Sequence, residues 1–306
     1  MNDQPSGFHA EVTRRIYEAQ HREISADPET FRRIVGQYDG TTFGIDPDWF
    51  KGKTALDAGC GNIGAMIRKL HSLGVAQIVG CDIGEGWIEP LSANLTDLEC
   101  RVDLLHGDVL ALPFENESFD FVSVNGVLVQ LETMGHVRRG FAEGARVTKH
   151  GGYYFTSYGP CGGVMQGVIM PALREHYRRD AEFKMLIDTI RPDTIDAVVD
   201  KVVADARAHA GQSLDGDFLK SLFGWDYCVF LRNFIQCPTC WTNECTPAVV
   251  ESWYEEEGFG EVRRLETYCV RSDIRKFFAP LHYDRYHWMS RILYGEGYVQ
   301  YIGRKP

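Results

Sequence analysis

The sequence predicts an α/β protein whose core is a doubly wound, seven-stranded, mostly parallel sheet, with a helical insertion after the fifth strand. Between about residues 50 and 158, short apolar runs alternate regularly with stretches of helical periodicity. The alternation stops at residue 159 and resumes near residue 246. Strands and helices that alternate in this way form βαβ units, and consecutive units build a parallel sheet.

The first half of the chain holds five predicted strands and the helices between them. Residues 7–40 are predicted to be helical, with polar breaks. The strands are predicted at residues 54–57, 77–81, 102–106, 119–124 and 152–157. The helices that connect them are predicted at residues 63–73, 87–95 and 135–148. Gly74 suits the end of the first of these helices, because glycine readily adopts the left-handed conformation found there.

The second half begins with residues 159–243, which are predicted to be mostly helical. Asp193 or Thr194 is expected to cap a helix there. Its apolar stripe consists of Ile195, Val198, Val199, Val202, Val203 and Ala206. A helix at 246–257 and strands at 261–270 and 298–302 are expected to complete the sheet. The predicted units are therefore an N-terminal helical cap (1–45), a core (46–158), an insertion that covers the acceptor (159–245) and a C-terminal completion (246–306).

A glycine-rich turn stands between the first predicted strand and the first helix. Gly59, Gly61 and Gly64 follow the spacing GxGxxG, which lets a backbone turn approach a ligand closely. Dehydrogenases use the same spacing to bind a pyrophosphate. Asp57 argues against that ligand, because a carboxylate repels a pyrophosphate but suits a ligand with an ammonium and a sulfonium. Asp82, about 20 residues further on, is placed to accept hydrogen bonds from ribose hydroxyls.

Five segments, in this order, resemble the motifs of the class I S-adenosylmethionine (SAM) dependent methyltransferases. They are Leu56–Gly61, Cys81–Ile83, His106–Val109, Leu112–Val122 and Ala145–Gly152. The resemblance covers residues 50–158 well and residues 246–302 loosely, and it departs at His150, where the family commonly has proline. It implies a Rossmann-like fold, SAM as the cofactor and S-adenosylhomocysteine (SAH) as its product.

The resemblance also implies which residues hold the cofactor. The expected set is Asp57, Gly59, Cys60, Gly61, Asp82, Ile83, Asp108, Val109 and Asn125. The members on the first strand and the glycine turn are expected at the methionine part of SAM, and Asp82 at the ribose. Ile83 and Val109 are expected to flank the adenine, whose amino group donates to Asp108. Asn125 is expected near the donor methyl group.

No residue stands out as the general base that an oxygen or nitrogen acceptor can require. Gln130 occupies a place after the fourth strand where many relatives carry histidine. The catalytic candidates are Asn125, Tyr158 and His287, and further candidate bases are His136, His282 and Tyr283. An ordinary structural role is the alternative for each of these side chains.

The insertion and the aromatic residues before the last strand are predicted to enclose the methyl acceptor. The candidate acceptor-binding residues are Gln130, Tyr227, Arg232, Asn233 and Tyr283. Arg232 suits a carboxylate, since arginine binds that group through parallel hydrogen bonds, with a salt bridge inside the protein as the alternative. Tyr227 and Tyr283 suit a cationic group through cation–π contact, with core or lid packing as the alternative.

Composition narrows the range of partners. The net charge of -11 disfavours a nucleic-acid partner. The sequence has no apolar run of about 18 residues and no apolar leader, so a cytoplasmic protein without a membrane partner is predicted. Homodimer formation is left open. Cys237, Cys240 and Cys245 form a cluster that suggests zinc, with Cys228, Cys269 or a histidine as the fourth ligand. There is no second CxxC, however, so no metal and unligated thiols are predicted.

The predicted function is methyl transfer from SAM to an oxygen, nitrogen or sulfur atom of a small-molecule metabolite. S-methylation of a free amino acid such as methionine is a variant that fits the absence of an obvious base, because a thioether carries no proton. A dinucleotide-dependent oxidoreductase and a non-catalytic SAM-binding protein are alternatives from other classes. Asp57 argues against the first of these, and the intact cofactor motifs argue against the second.

Overall fold

The computed structural model describes residues 7–26, 28–36, 43–84, 86–222, 232–265 and 287–306. The strands are β1 (Thr54–Ala58), β2 (Gln77–Asp82), β3 (Arg101–His106), β4 (Phe119–Asn125), β5 (Thr148–Cys161), β6 (Arg263–Arg264) and β7 (Gly297–Arg304). They form one seven-stranded sheet in the order β3-β2-β1-β4-β5-β7-β6. β1 to β5 are parallel, and β7 runs antiparallel to both β5 and β6. The predicted doubly wound, mostly parallel sheet is confirmed.

The helices flank this sheet and continue through the insertion. They are α1 (Phe8–Ala26), α2 (Pro28–Gly36), α3 (Ala65–Ser72), α4 (Ile88–Asn94), α5 (Met134–Val147), α6 (Met170–Arg179), α7 (Ala181–Asp188), α8 (Pro192–Ala210), α9 (Gly216–Leu222), α10 (Pro247–Glu256) and α11 (Trp288–Tyr294). Short 3-10 helices cover Pro47–Phe50 and Leu128–Gln130, and a π-helical turn covers Met165–Ile169. None of the described helices combines the length and the apolar character that crossing a membrane requires.

Two apolar clusters cover the two faces of the sheet. Side chains of successive strand residues point to opposite faces of the sheet. On β4, Val122 and Val124 therefore belong to one cluster and Phe121 to the other. α5 and α10 pack on the first face, through residues such as Phe141 and Tyr254. α3 and α4 pack on the second face. Because both faces are covered, the inner strands are apolar along their length, as the sequence predicts.

β5 is longer than the predicted strand at residues 152–157. It runs from Thr148 to Cys161 because β7 pairs with it from Tyr153 to Cys161, which extends the ladder beyond the end of β4. The register shifts between Ser157 and Gly159, where glycine adopts a positive φ of 82°. The extra residues carry the strand past the predicted start of the insertion. Of the predicted strand at 261–270, residues 266–270 lie outside the described residues.

The N-cap of α8 lies two residues before Asp193 and three before Thr194, the two predicted caps. Its N-cap is Arg191, Pro192 fills the first turn, and the hydroxyl of Thr194 accepts from the Arg191 N–H at 2.9 Å. The predicted apolar stripe is only partly buried. Val199 is buried, but Val198 and Val202 are exposed. The apolar stripe therefore predicted the helix correctly, but two of its valines are not buried.

Candidate functional site

The glycine turn lies at the carboxyl end of β1, where ligands bind in open parallel sheets. Gly59, Gly61 and Gly64 all have positive φ, of 80°, 56° and 69°. A Cβ atom on Gly59 would collide with the side chain of Val127, and one on Gly61 with the imidazole of His21. These glycines therefore serve both the shape of the turn and its close contact with the chain around it.

Asp57 lies at the end of β1, directly below this turn, and is buried. Burial raises the pKa of its carboxyl group to about 7, and the neighbouring carboxylate of Asp82 raises it as well. A buried carboxylate is costly unless a positive charge or hydrogen-bond donors accompany it. The site is therefore suited to a cationic ligand group next to Asp57.

Asp82, at the end of β2, holds the turn in place. One of its carboxylate oxygens accepts from the Gly61 N–H at 3.0 Å, and the other accepts from the Gly84 N–H at 2.9 Å. Each oxygen has a second lone pair. The carboxylate thus fixes two backbone segments and still has capacity for ligand hydroxyls, so its predicted contact with ribose stays a prediction.

The end of β3 and the loop after it supply the third acidic residue. Asp108 is half-buried, and its Oδ1 accepts from the Leu110 N–H at 2.8 Å. Val109 is buried beside it, whereas Ile83, after β2, is exposed. Cys60 in the turn is half-buried, and burial raises the pKa of its thiol well above the usual range. Cys60 is therefore a neutral thiol near the predicted methionine site.

Helix α1 covers the glycine turn, a contact that was not predicted from the sequence. The imidazole of His21 lies against Gly61, and its Nδ1 accepts from the Asn62 N–H at 3.5 Å. Burial lowers the pKa of His21 to about 4, so the ring is neutral at physiological pH. One signal for this arrangement existed in the sequence. Polar and aromatic residues recur on one face of α1 at helical spacing: His9, Thr13, Tyr17, Gln20 and His21.

The segment after β4 connects the glycine turn to α1. Val127 packs against Gly59, and the 3-10 helix that follows ends at Gln130, whose side chain is buried. The Gln130 carbonyl oxygen lies 2.8 Å from His9 Nε2, and Thr239 Oγ1 lies 3.1 Å from the same nitrogen. Asn125, Gln130 and α1 therefore adjoin the same edge of the sheet as Asp57.

Two of the three catalytic candidates, Tyr158 and His287, lie in surroundings that suit a structural role. Tyr158 is fully buried in an apolar cluster, 6.2 Å from the Trp253 ring, and burial raises its pKa well above the usual range. These surroundings suit core packing, the alternative that the sequence left open, and a catalytic role of Tyr158 stays a prediction. The His287 ring caps α11, because its Nδ1 accepts from the Met289 N–H at 3.2 Å. That contact gives His287 a helix-capping role, and its catalytic role stays a prediction.

Arg232 and Asn233, predicted to bind the acceptor, are tied to α1. The Arg232 guanidinium is buried, pairs with Glu23 at 2.8 Å and donates to the Ile190 carbonyl at 3.2 Å. The Asn233 amide donates to Gln20 Oε1 at 2.6 Å. The salt bridge that the sequence offered as the alternative for Arg232 is thus present, and its contact with an acceptor carboxylate stays a prediction. Tyr227 and Tyr283 lie outside the described residues, as does His282.

The cysteine cluster packs against α1 as well. Cys237 is buried, and burial raises the pKa of its thiol to about 12. Within the described ranges no three His, Cys, Asp or Glu side chains are grouped so as to hold a metal ion. Cys228 and Cys269, which the sequence offers as a fourth ligand, fall outside those ranges. The expected absence of zinc therefore stays a prediction.

Comparison with known proteins identifies the class of this domain. Residues 56–156 match a family model described as a methyltransferase domain. This segment contains all of β2 to β4, most of β1 and β5, the glycine turn and all three acidic residues of the site. This third of the chain is therefore similar to a methyltransferase domain.

Individual relatives match the same part of the chain. A putative methyltransferase of Encephalitozoon cuniculi is 35% identical over 155 residues, which are 49% of this chain and 63% of that protein. A demethylmenaquinone methyltransferase of Desulfitobacterium hafniense is 30% identical over 141 residues, 40% of this chain and 54% of that protein. The chain thus matches between about half and two thirds of the length of these relatives.

One solved structure resembles the chain over nearly its whole length. It is a putative methyltransferase from Haloferax volcanii, in complex with the Trm112 methyltransferase activator. The match covers 97% of this chain and 98% of that one, with a TM-score of 0.51 and 14% identity. At this identity the likeness shows a shared fold.

Proposed function

We propose that this protein transfers the methyl group of SAM to a small-molecule acceptor. The observation that carries the proposal is the set of three carboxylates, Asp57, Asp82 and Asp108, at the ends of three adjacent strands around a left-handed glycine turn. A single extended ligand with a cationic end and a nucleoside end matches that row. SAM is such a ligand, and the methyltransferase class of residues 56–156 agrees with it.

The residues of the turn fit SAM in charge and in space. Asp57 would accompany the ammonium of the methionine part, and Gly59 and Gly61 would let the backbone approach it. Asn62 is buried, and its Oδ1 has no hydrogen-bond partner, so a ligand donor there would satisfy it. Asp82 would accept from the ribose hydroxyls and Asp108 from the adenine amino group.

The chemistry then requires mainly alignment. SAM, when bound, supplies a methyl group that its sulfonium already activates for in-line displacement. The protein's part is to hold the acceptor against the donor, and such alignment can contribute roughly 7–11 kcal/mol to lowering the barrier. α1 lies over the glycine turn and so shields the site from water. Asn125, the last residue of β4, and Gln130, which follows it, would border the place where the acceptor enters.

A small-molecule acceptor is supported by what surrounds the site. α1 and residues 232–239 are hydrogen-bonded to each other and to the segment around Gln130 at this edge of the sheet. An edge covered in this way favours a small acceptor over a polymer. The relative from Desulfitobacterium hafniense is named for methylation of a small molecule, demethylmenaquinone. The net charge of -11 also favours a partner other than nucleic acid. Cytoplasmic location and the absence of a membrane partner rest on composition alone.

The proposal is tested by isothermal titration calorimetry of the whole protein with SAM, SAH and NAD in separate experiments. SAM and SAH should each bind at one site, and NAD should give no heat of binding. Binding of NAD in preference to SAM would replace the proposed methyl transfer with a dinucleotide-dependent reaction.

Replacing Asp82 by alanine should weaken SAM binding by about 10- to 100-fold. The variant loses the predicted ribose contact and the bond that fixes the Gly61 N–H, and charged hydrogen bonds contribute about 1.5–3 kcal/mol each. Asp97→Ala is the matched control, since it removes a largely exposed carboxylate that pairs with Arg68. Calorimetry with both variants checks this, and equal SAM affinities would remove Asp82 from the site.

A further inference from the structure

Buried oxygen atoms without hydrogen-bond partners border the inner face of α1. They are Oε1 of Gln130, Oδ1 of Asn233 and Oγ1 of Thr13. The Gln130 side chain is only 7% exposed and that of Asn233 only 2%. Leaving a buried polar atom unpaired costs about 1–3 kcal/mol, so native proteins rarely do so without a reason. A ligand that donates hydrogen bonds would supply the missing partners.

Gln130 is the member of this group nearest to the cofactor turn. It ends the 3-10 helix that begins one residue after Val127, and Val127 contacts Gly59. Its backbone oxygen is fixed by His9 and Thr239, so the position of the residue is set without its side-chain oxygen. Thr13 lies one helical turn beyond His9 on the same face of α1. Gln130 therefore stands three residues after the contact with the cofactor turn, and its side chain carries an unused acceptor.

Asn233 contributes a second unpaired acceptor, which lies against α1 near Gln20. Its amide nitrogen donates to Gln20 Oε1 at 2.6 Å, and this bond orients Oδ1 away from Gln20. The adjacent guanidinium of Arg232 is paired with Glu23, and Arg174 donates to the Cys237 carbonyl at 2.7 Å. The unused groups on Gln130 and Asn233 are thus neutral oxygens, which accept hydrogen bonds and do not neutralise an anion.

We propose that the methyl acceptor is a primary or secondary amine whose N–H group donates to Oε1 of Gln130. This inference rests on the proposed methyl transfer. The nitrogen lone pair forms the new N–CH3 bond, while the S–CH3 bond breaks and its electron pair stays on sulfur. The positive charge moves from sulfur to nitrogen, so the transfer step itself releases no proton.

This reaction explains why a base is not obvious near the turn. An amine reacts as its free base, and a site lined by neutral oxygens does not hold the amine in its protonated form as a carboxylate would. As the N–CH3 bond forms, the remaining N–H becomes a stronger donor. Oε1 of Gln130 then stabilises the developing charge, because it is already oriented when the reaction begins.

The acceptor class is tested with methyl-labelled SAM and a protein-free metabolite extract divided into two portions. One portion is treated with N-hydroxysuccinimide acetate and then with hydroxylamine, which leaves amines acylated and restores hydroxyl groups. The other portion receives hydrolysed reagent. Label transfer to small molecules should fall at least tenfold in the acylated portion.

Equal transfer in the two portions would overturn the amine assignment and leave methyl transfer standing. Absence of transfer in both portions would instead count against methyl transfer, and the amine assignment would fall with it. Calorimetry with SAM separates a failure of the cofactor site from a failure of the acceptor site.

The role of Gln130 is tested with a conservative pair of variants. Gln130→Leu should lower label transfer at least tenfold at every pH, with SAM affinity unchanged. Gln130→Glu keeps the acceptor oxygens but adds a negative charge, so it should retain amine binding and move the pH–rate profile to higher pH. Loss of transfer in the glutamate variant at all pH values would show that Gln130 donates to the acceptor, and this would overturn the proposal.

Discussion

Replacing Gly59 by alanine should abolish detectable SAM binding and lower the free energy of unfolding by about 2–5 kcal/mol. The residue has a φ of 80°, which costs a residue with a side chain about 1–2 kcal/mol. The added Cβ would also collide with Val127, and forcing extra atoms into a packed site costs typically about 1–3 kcal/mol. The turn or the loop after β4 must move, and both border the proposed cofactor site.

Gly52 offers a matched control for this variant. It also has a positive φ, of 72°, but no atom lies within 4 Å of the place where its Cβ would stand. Gly52→Ala should therefore lower the free energy of unfolding only by the cost of its positive φ, and SAM binding should be kept. Urea unfolding and calorimetry measure the two effects separately. Equal losses in the two variants would mean that the contact between Gly59 and Val127 is unimportant.

SAM binding should weaken by about tenfold for each unit that the pH falls below 7, down to about pH 5. The pKa of Asp57 is about 7 because the carboxyl group is buried. A bound cation favours the ionised form, so the pKa falls in the complex and SAM binding releases a proton. Calorimetry in buffers of different ionisation enthalpy measures both the affinity and the proton release.

Asp57→Asn should remove this pH dependence and the proton release together. A pH dependence that persists in the variant would assign the titration to another group. His21 is not expected to titrate in this range, because its pKa is lowered to about 4.

The same substitution should stabilise the ligand-free protein at high pH. The pKa of Asp57 is raised on folding, from 3.8 to about 7, so its ionised form disfavours the folded state. The protonated Asp57 carboxyl group is compatible with burial, so its contribution to the stability of the folded state is full below pH 4. That contribution is lost as the pH rises through 7. The shift corresponds to about 4 kcal/mol. Asp57→Asn should thus unfold at higher temperature than the wild type at pH 8 but not at pH 4, although it binds SAM more weakly.

The fold and the cofactor turn could be predicted because their signals are local. An apolar strand, a glycine turn and a helix of period 3.6 follow one another within about 20 residues, and each element restricts the next. Asp57 and Asp82 follow from the same logic, because residues at the ends of parallel strands meet at one edge. The predicted ends of β1 to β4 differ from the structure by one residue at most.

The acceptor side could not be predicted because it is assembled from distant segments. Arg232 pairs with Glu23 and Asn233 with Gln20, both across more than 200 residues. From the sequence, a guanidinium that binds a ligand looks the same as one that binds a helix of its own chain. Tyr158 shows the converse problem. Its place near the end of β5 suggested the site, but strand alternation turns its ring into the core.

The insertion leaves the sheet and returns to it at one point. The Gly162 N–H donates to the Asn243 side-chain oxygen at 2.9 Å, and the Cys161 thiol donates to the Asn243 carbonyl at 3.6 Å. Since its two ends are fastened to each other, the segment between them can change in length at a small entropic cost. Residues 162–243 can therefore gain or lose length without changing the register of the strands on either side of them.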